Sequence, residues 1–557
     1  MHDKSESQSL SGAHLVGESC DSGGPIDNRP QVGNHGWQPN ATRFSAMRSF
    51  SEDWPVKLLD FSPAIGYSLV AVKLLDFSPA ISYSLVDGST YQKPATELGS
   101  TAGSARDIGS ANERSGVLEL FREAASEEFF QQLKQDLKLS TRRRIYDLPL
   151  VMWLMMVQRW EGKATLSTAV QQVVEKRPAV LVGDHKRVRE GTVSVHTGAY
   201  SDARQKMPVE AAEKVADRVF EHLMRNRRAA LPGWDRRVFL IDGTTLDLAH
   251  TEELVKAYPL GSHRHGESHW PKLLVLVAQE LTTATAGRPC WGPMYGPQAV
   301  SEQALTKQIL GRLPDRSVLL GDINFGVFTV ALAATQGGHD VLFRLQSARA
   351  GALGRGLSLK SGTDHKMCWR PSRWERKQHP ELPADACVWG RLIAERVTAS
   401  NGKSMMLYFF TTLELTVEQI LELYGQRWDV ETDLRSLKQT LRLDMLRCQS
   451  PEMIAKELIL AMTGYNLVRG VMNVAAEQNN LDPRRLSFSR SQDVVNAALP
   501  GLDAAPSPEE YQARLQRMIR RVACCKLSDR SKRRAAPRKI WGHGAKFPKR
   551  KAVSTQT

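Results

Sequence analysis

The sequence predicts an α/β protein in which an all-α segment precedes a mixed catalytic-type core. Three observations predict it. Between residues 116 and 230 apolar residues recur at helical spacing, as in "VLELFREAASEEFFQQLKQDL", "DLPLVMWLMMVQRW" and "PVEAAEKVADRVFEHLMRN". From Arg236 short β-prone runs follow in the order β-β-β-α-β. Beyond residue 413 the helical period returns in Thr416–Thr440 and Ser450–Gln478.

Residues 1–115 are expected to be disordered. Gly88–Gly116 is rich in Ser, Gly, Ala and Thr without a period. Before it, "VKLLDFSPAIGYSLVA" (Val56–Ala71) is repeated almost unchanged as "VKLLDFSPAISYSLVD" (Val72–Asp87). Two copies are too few for a solenoid and point to a recent duplication, or to upstream sequence read as protein. The all-α region, 116–230, is a candidate DNA-binding domain. "RRVFLID" (Arg236–Asp242) and "KLLVLVAQE" (Lys272–Glu280) then read as strands, with a third near Cys290–Tyr295. "SEQALTKQILGRL" (Ser301–Leu313) is a helix with a Ser cap, and "SVLLGD" (Ser317–Asp322) a fourth strand. Residues 231–322 thus form the first part of a core. The stretch 323–412 reads as β-rich and basic, 413–480 as helical, and 481–557 as a helix with a basic tail.

Composition narrows the class. The 557 residues are 41% hydrophobic and 24% charged, as in an ordinary soluble protein. Seven scattered cysteines contain no CxxC pair, so neither a disulfide framework nor a zinc site is indicated, and a reducing cytosol is expected. "LPLVMWLMMV" (Leu148–Val157) is about half of a bilayer span, and no signal peptide is read at the start. No membrane is expected. The net charge of +15 is segregated: Arg514–Lys551 carries fifteen Lys or Arg against the single acid Asp529. That clustering suits a polyanionic partner, although a solvated basic tail would look the same.

The most informative stretch is "YGQRWDVETDLRSLK" (Tyr424–Lys438). On a continuous helix turning about 100° per residue, Tyr424, Arg427, Glu431 and Lys438 fall within about 60° of arc. They border the apolar stripe of Leu423, Val430, Leu434, Leu437 and Leu441, whereas Asp429 and Asp433 point away. Arg427 and Glu431 are also spaced for a plain i,i+4 ion pair. Two aspartates favour a site. Asp242 and Asp322 each follow an apolar run where a strand is expected to emerge, and ligands collect at such strand ends. A carboxylate there is costly unless paired or bound to a cation. With Glu431 they would supply oxygen ligands suited to Mg²⁺ or Mn²⁺, two ions being the arrangement that serves phosphodiester chemistry. Arg427 and Lys438 would contact neighbouring phosphates.

Tyr424-x2-Arg427-x3-Glu431-x6-Lys438 resembles the Tyr-Arg-Glu-Lys signature of DDE transposases of the insertion-sequence-four type. "FLIDGTTLDL", "SEQALTKQILGRLPDRSVLLGDINF" and "GAYSDARQKMP" are similar to that family too, and the resemblance runs from about Val117 to Cys525. It implies a ribonuclease-H-like catalytic core with a β-rich insertion. Asp242, Asp322 and Glu431 would be the catalytic, metal-binding triad, holding two Mg²⁺ or Mn²⁺ ions. Tyr424, Arg427 and Lys438 would grip DNA near the transposon end. The implied activity is metal-dependent strand cleavage and transfer of the cut-and-paste type, at the inverted-repeat ends of the element. A homodimer would act on double-stranded end and target DNA in the bacterial cytoplasm, in association with the nucleoid. A transposase-derived DNA-binding protein that has lost cleavage, or a structure-specific nuclease on the same fold, are the alternatives. One departure is Ile323, where relatives often carry Arg after the second aspartate. His263, His265 and His269 read as a polar loop rather than a zinc site. Trp374 and Trp428 could stack on an extruded base, with core packing the favoured reading for Trp428.

Overall fold

The computed structural model describes residues 116–140, 144–161, 164–226, 228–263, 266–398, 404–440, 443 and 445–527. The segment expected to be disordered, the tandem repeat and the sequence beyond Leu527 lie outside the described residues.

One eight-stranded sheet organises the core. Its strands are β1 (Val238–Asp247), β2 (Lys272–Glu280), β3 (Cys290–Pro293), β4 (Val318–Gly321), β5 (Asp340–Leu345), β6 (Thr363–Trp369), β7 (Val388–Thr398) and β8 (Ser404–Thr411). Their spatial order is β3-β2-β1-β4-β5-β8-β7-β6. β1, β4 and β5 run parallel at the centre, flanked by antiparallel strands on both sides. The expected β-β-β-α-β order is present, with helix Glu302–Leu310 between β3 and β4. Its cap is the anticipated one: the Ser301 hydroxyl accepts from the Ala304 N–H at 3.1 Å.

The β-rich reading of 323–412 missed three helices, Phe328–Gln336, Ser347–Leu353 and Arg373–Gln378. The first joins β4 to β5, a right-sized crossover for two parallel neighbours. Its sequence "FTVALAATQ" is apolar on nearly every side and therefore carries no 3.6-residue period to read.

Alternation along β1 and β4 divides the core. Val238, Leu240, Val318 and Leu320 face a helical layer built on the long helix Pro451–Gln478, while Phe239, Ile241 and Leu319 face helices Glu302–Leu310 and Phe328–Gln336. The long helix is apolar enough to pass a membrane-span test by length and composition, yet 94% of its most apolar window is buried inside the protein. The all-α segment packs on it. Fully buried Lys456 donates to the carbonyls of Arg204 and Gln205, which tethers the C-terminal end of helix Gly198–Lys206, the "GAYSDARQKMP" segment.

Candidate active site

Strand register brings the two aspartates together. β1 pairs with β4 at Val238–Val318, Phe239–Leu319 and Leu240–Leu320. Two residues further, each chain reaches a carboxylate on the face held by Leu240 and Leu320, because side chains alternate. The expectation that Asp242 ends its strand is corrected here. β1 continues to Asp247 on its antiparallel partner β2, so Asp242 stands where β1 outruns β4. The Thr-rich sequence after Gly243 suits a strand, and only β4 stops at the carboxylate.

Each aspartate accepts a hydrogen bond from a backbone N–H one or two residues further on. The Gly243 N–H donates to Asp242 Oδ1 and the Asn324 N–H to Asp322 Oδ1, both at 2.8 Å. Burial, then the charges of Asp322 and Glu302, push the Asp242 carboxyl up to about 8, against the opposing pull of Arg427 and the Gly243 N–H. Glu302 was not singled out in the sequence. It opens its helix and lies over Gly243, where an added Cβ would come within 1.9 Å of its Oε1. The Asn324 side-chain amide donates to its other oxygen. A glycine and an asparagine, each one or two residues from a catalytic-type aspartate, were the signal available.

The helix carrying the third acid is not continuous, as the helical-wheel reading assumed. Helix Val417–Gly425 gives way at Gln426 and Arg427, helix Trp428–Arg435 follows, and Ser436–Thr440 is a π turn. Through the junction the bonds are i→i+3: Arg427 N–H to Tyr424 C=O at 2.9 Å and Val430 N–H to Arg427 C=O at 3.2 Å. Such tightening eclipses residues three apart and sets Arg427 beneath Tyr424. Buried Tyr424 packs edge-on against Phe409, ring centroids 4.7 Å apart. Burial raises its hydroxyl above the ordinary value, while Arg427 and Arg344 pull it down.

Arg427 links the acids. Its Nη2 donates to Glu431 Oε1 at 3.3 Å, joining a buried guanidinium to a carboxylate that is 43% exposed. Burial would lower this guanidinium, yet Tyr424, Asp322, Asp242 and Glu431 hold it above its usual value. Tyr424, Arg427, Glu431, Asp242 and Asp322 therefore share one electrostatic centre. Lys438 lies in the π turn rather than on the continuous α-helix the sequence reading assumed. Trp374 is 60% exposed, and the Trp428 side chain lies outside the described residues.

A buried anchor fixes this segment to the sheet. Asp433, expected to face away from the site, is 2% exposed and pairs with Arg469 at 2.7 Å and with Arg484. Arg484 in turn donates to the carbonyls of Leu281 and Glu280, at the end of β2, at 2.7 and 3.1 Å. Arg469 Nε donates to Tyr465 Oη at 2.9 Å, and that hydroxyl donates to the Ala284 carbonyl.

Among the described residues no group of three or more His, Cys, Asp or Glu side chains converges closely enough to hold a metal ion as it stands. The donor chemistry nonetheless fits a hard divalent cation. It consists of carboxylate oxygens only, and Asp242 is pushed up by acidic neighbours for which Arg427 is the positive charge at hand.

Residues 233–467 match the family described as the transposase DDE domain. The insertion-sequence-four resemblance holds. The chain is 25% identical over 418 residues, 74% of its own length and 88% of the relative's, to the transposase InsG for insertion sequence element IS4 of Escherichia coli strain K12. The matched residues take in β1 to β8, both aspartates, the whole Tyr424–Lys438 segment and most of the long helix. The anchor partners Arg469 and Arg484 both lie beyond the end of the match.

Proposed function

We propose that this chain is a DNA transposase that binds the inverted-repeat ends of its own element and cuts and joins DNA strands on a ribonuclease-H-like core. The observation that carries the reading is the meeting of Asp242, Asp322 and the Arg427–Glu431 pair at the place where β1 outruns β4, within the DDE-domain match. The central order β3-β2-β1-β4-β5, with β2 antiparallel to β1, supports the ribonuclease-H-like assignment.

In this reading Asp242, Asp322 and Glu431 hold two Mg²⁺ or Mn²⁺ ions. Bound there, the ions would activate water or a 3′-hydroxyl and stabilise the departing oxygen of the phosphodiester. The protein's own part is placement. The Gly243 and Asn324 N–H groups fix the aspartates, the Asp433 anchor fixes the helix bearing Glu431, and β1 and β4 set the spacing. Arg427 has a double duty: it neutralises the acids before DNA arrives and offers its fork to a phosphate afterwards. Tyr424 and Lys438 would add contacts to the DNA near the transposon end. A homodimer bridging two ends, acting in the bacterial cytoplasm, completes the proposal.

The test is strand transfer in vitro with end-containing DNA and Mg²⁺. Asp242→Ala, Asp322→Ala and Glu431→Ala should each abolish joining while leaving end binding intact. Joining that survives any one of them removes that residue from the centre, and nicking without joining selects the nuclease reading. Arg427→Ala and Lys438→Ala should weaken end binding and each lower its salt slope by about 1, as loss of one phosphate contact requires.

A further inference from the structure

Outside the DDE domain the chain ends in a helical hairpin. Helices Phe488–Asp503 and Pro508–Ala523 bury Val495 and Leu502 against Leu515, Met518, Ile519 and Val522. Their other faces frame a hollow of about 490 Å³ lined by Arg490, Asp493, Arg517, Arg520, Arg521 and Cys524.

Four guanidiniums meet one carboxylate there. Arg517, Arg520 and Arg521 are spaced to share one helix face, and Arg490 approaches from the first turn of the other helix. Among the described residues none of the four forms an ion pair within 4 Å, whereas Arg514 on the same helix is paired with Glu510 at 2.7 Å. Like charges brought this close repel one another unless an anion sits among them. Guanidinium forks from two directions suit phosphate oxygens.

The route of the chain adds a second argument. After the second helix the backbone turns back and is clamped beside the start of the first. The Ser487 N–H donates to the Cys525 carbonyl and the Leu527 N–H to the Arg485 carbonyl, both at 2.7 Å, with Lys526 bridged to Leu486. The sequence therefore leaves the described structure at the arginine end of the hairpin. It continues with ten Lys or Arg against one acid between residues 528 and 551. Hollow and exit point form one basic surface, separate in residues from the acidic centre.

We infer that this hollow grips the sugar–phosphate backbone of double-stranded DNA. The inference rests on the transposase reading and adds a second DNA contact outside the DDE domain. Backbone contacts of this kind position a protein without reading sequence.

The experiment compares the full chain with its Arg517→Gln/Arg520→Gln/Arg521→Gln variant, and separately with Arg490→Gln. Binding to duplexes with and without the transposon end is measured across a salt series, alongside melting temperature and joining at saturating DNA. The three arginines are exposed and glutamine is a good helix former, so the melting temperature should hold. The triple variant should bind both duplexes tenfold or more weakly near 0.1 M salt. Its slope of log affinity against log salt should flatten by about 2 to 3, and Arg490→Gln should flatten it by about 1. Joining at saturating DNA should stay at the wild-type rate. Unchanged affinity and slope in the triple variant overturn the inference while leaving the transposase reading intact. So does a loss confined to vesicles of anionic lipid, which would make the surface a membrane contact. A wild-type chain that binds no DNA would instead defeat the transposase reading itself.

Discussion

Substituting Asp433 tests the claim that a buried ion cluster, rather than the Arg427–Glu431 pair, fixes the position of the helix that carries Glu431. Asp433→Asn keeps the side-chain shape and removes one charge between two guanidiniums. Asp433 and Arg469 are 2% and 5% exposed at the side chain, and Arg484 is 11% exposed. Removing one partner of such a cluster costs about 3–5 kcal/mol, because the remaining charges stay buried without compensation. The folded part spans roughly 400 residues, and at about 2.1 cal/mol/K per residue its unfolding entropy near the midpoint is about 0.8 kcal/mol/K. The melting temperature should therefore fall by about 4–6 °C in calorimetry at neutral pH. Adding Arg484→Gln should restore part of the loss, since the double variant leaves Arg469 facing a neutral amide instead of two cations competing for one. Joining should fall with Asp433→Asn even well below the melting temperature, because Glu431 lies two residues from the released anchor. A shift under about 1 °C, or an additive loss in the double variant, would refute the reasoning.

Two further outcomes concern the aspartates and the loop beside them. Asp242 is pushed up to about 8 in the folded chain against an ordinary aspartate value of about 3.9, so the native state holds a proton that the unfolded state releases. Its stabilising proton is fully present below about pH 4 and lost as pH rises toward 8. The metal-free protein should therefore lose on the order of a few kcal/mol across that window, and Asp242→Asn should remove this slope. Equal slopes in the two proteins, read as melting temperature against pH, would contradict the burial of Asp242 among acids. Gly326→Ala would set a Cβ 2.3 Å from the Arg344 carbonyl oxygen, so backbone must move in the loop that follows Asp322. About 1–3 kcal/mol, or about 1–4 °C, should be lost together with joining, and an unchanged melting temperature would sink the argument.

How far the sequence could be read depended on whether an element's pattern came from its own period or from its neighbours. β2 is a continuous apolar run, and Ser301 and Ser450 announce their helices with side chains that do accept the expected N–H. These were local signals. Helix Phe328–Gln336 was invisible because burial on nearly every side leaves no stripe. The extension of β1 past Asp242 was invisible because a carboxylate followed by glycine reads as an ending. Its pairing with β2 as far as Asp247–Lys272, reinforced by their 2.7 Å ion pair, decides otherwise.

Asp433 shows where helical-wheel reasoning stops. The wheel set it about 180° from Tyr424, away from the quartet, and so left it out of the site. The segment after Arg427 is instead covered on two sides: Val430 and Leu434 pack into the core, and Asp433 meets Arg469 and Arg484. A helix enclosed in this way must neutralise its far face from within, so an acid there requires buried cations far away in sequence. Arg469 and Arg484 are those cations, 36 and 51 residues downstream. The same logic runs in reverse for Glu431, which keeps 43% of its side chain exposed with Arg427 as its ion-pair partner. Of the two acids on one short helix, the enclosed one holds the structure still. The one left open to solvent is free to change partners.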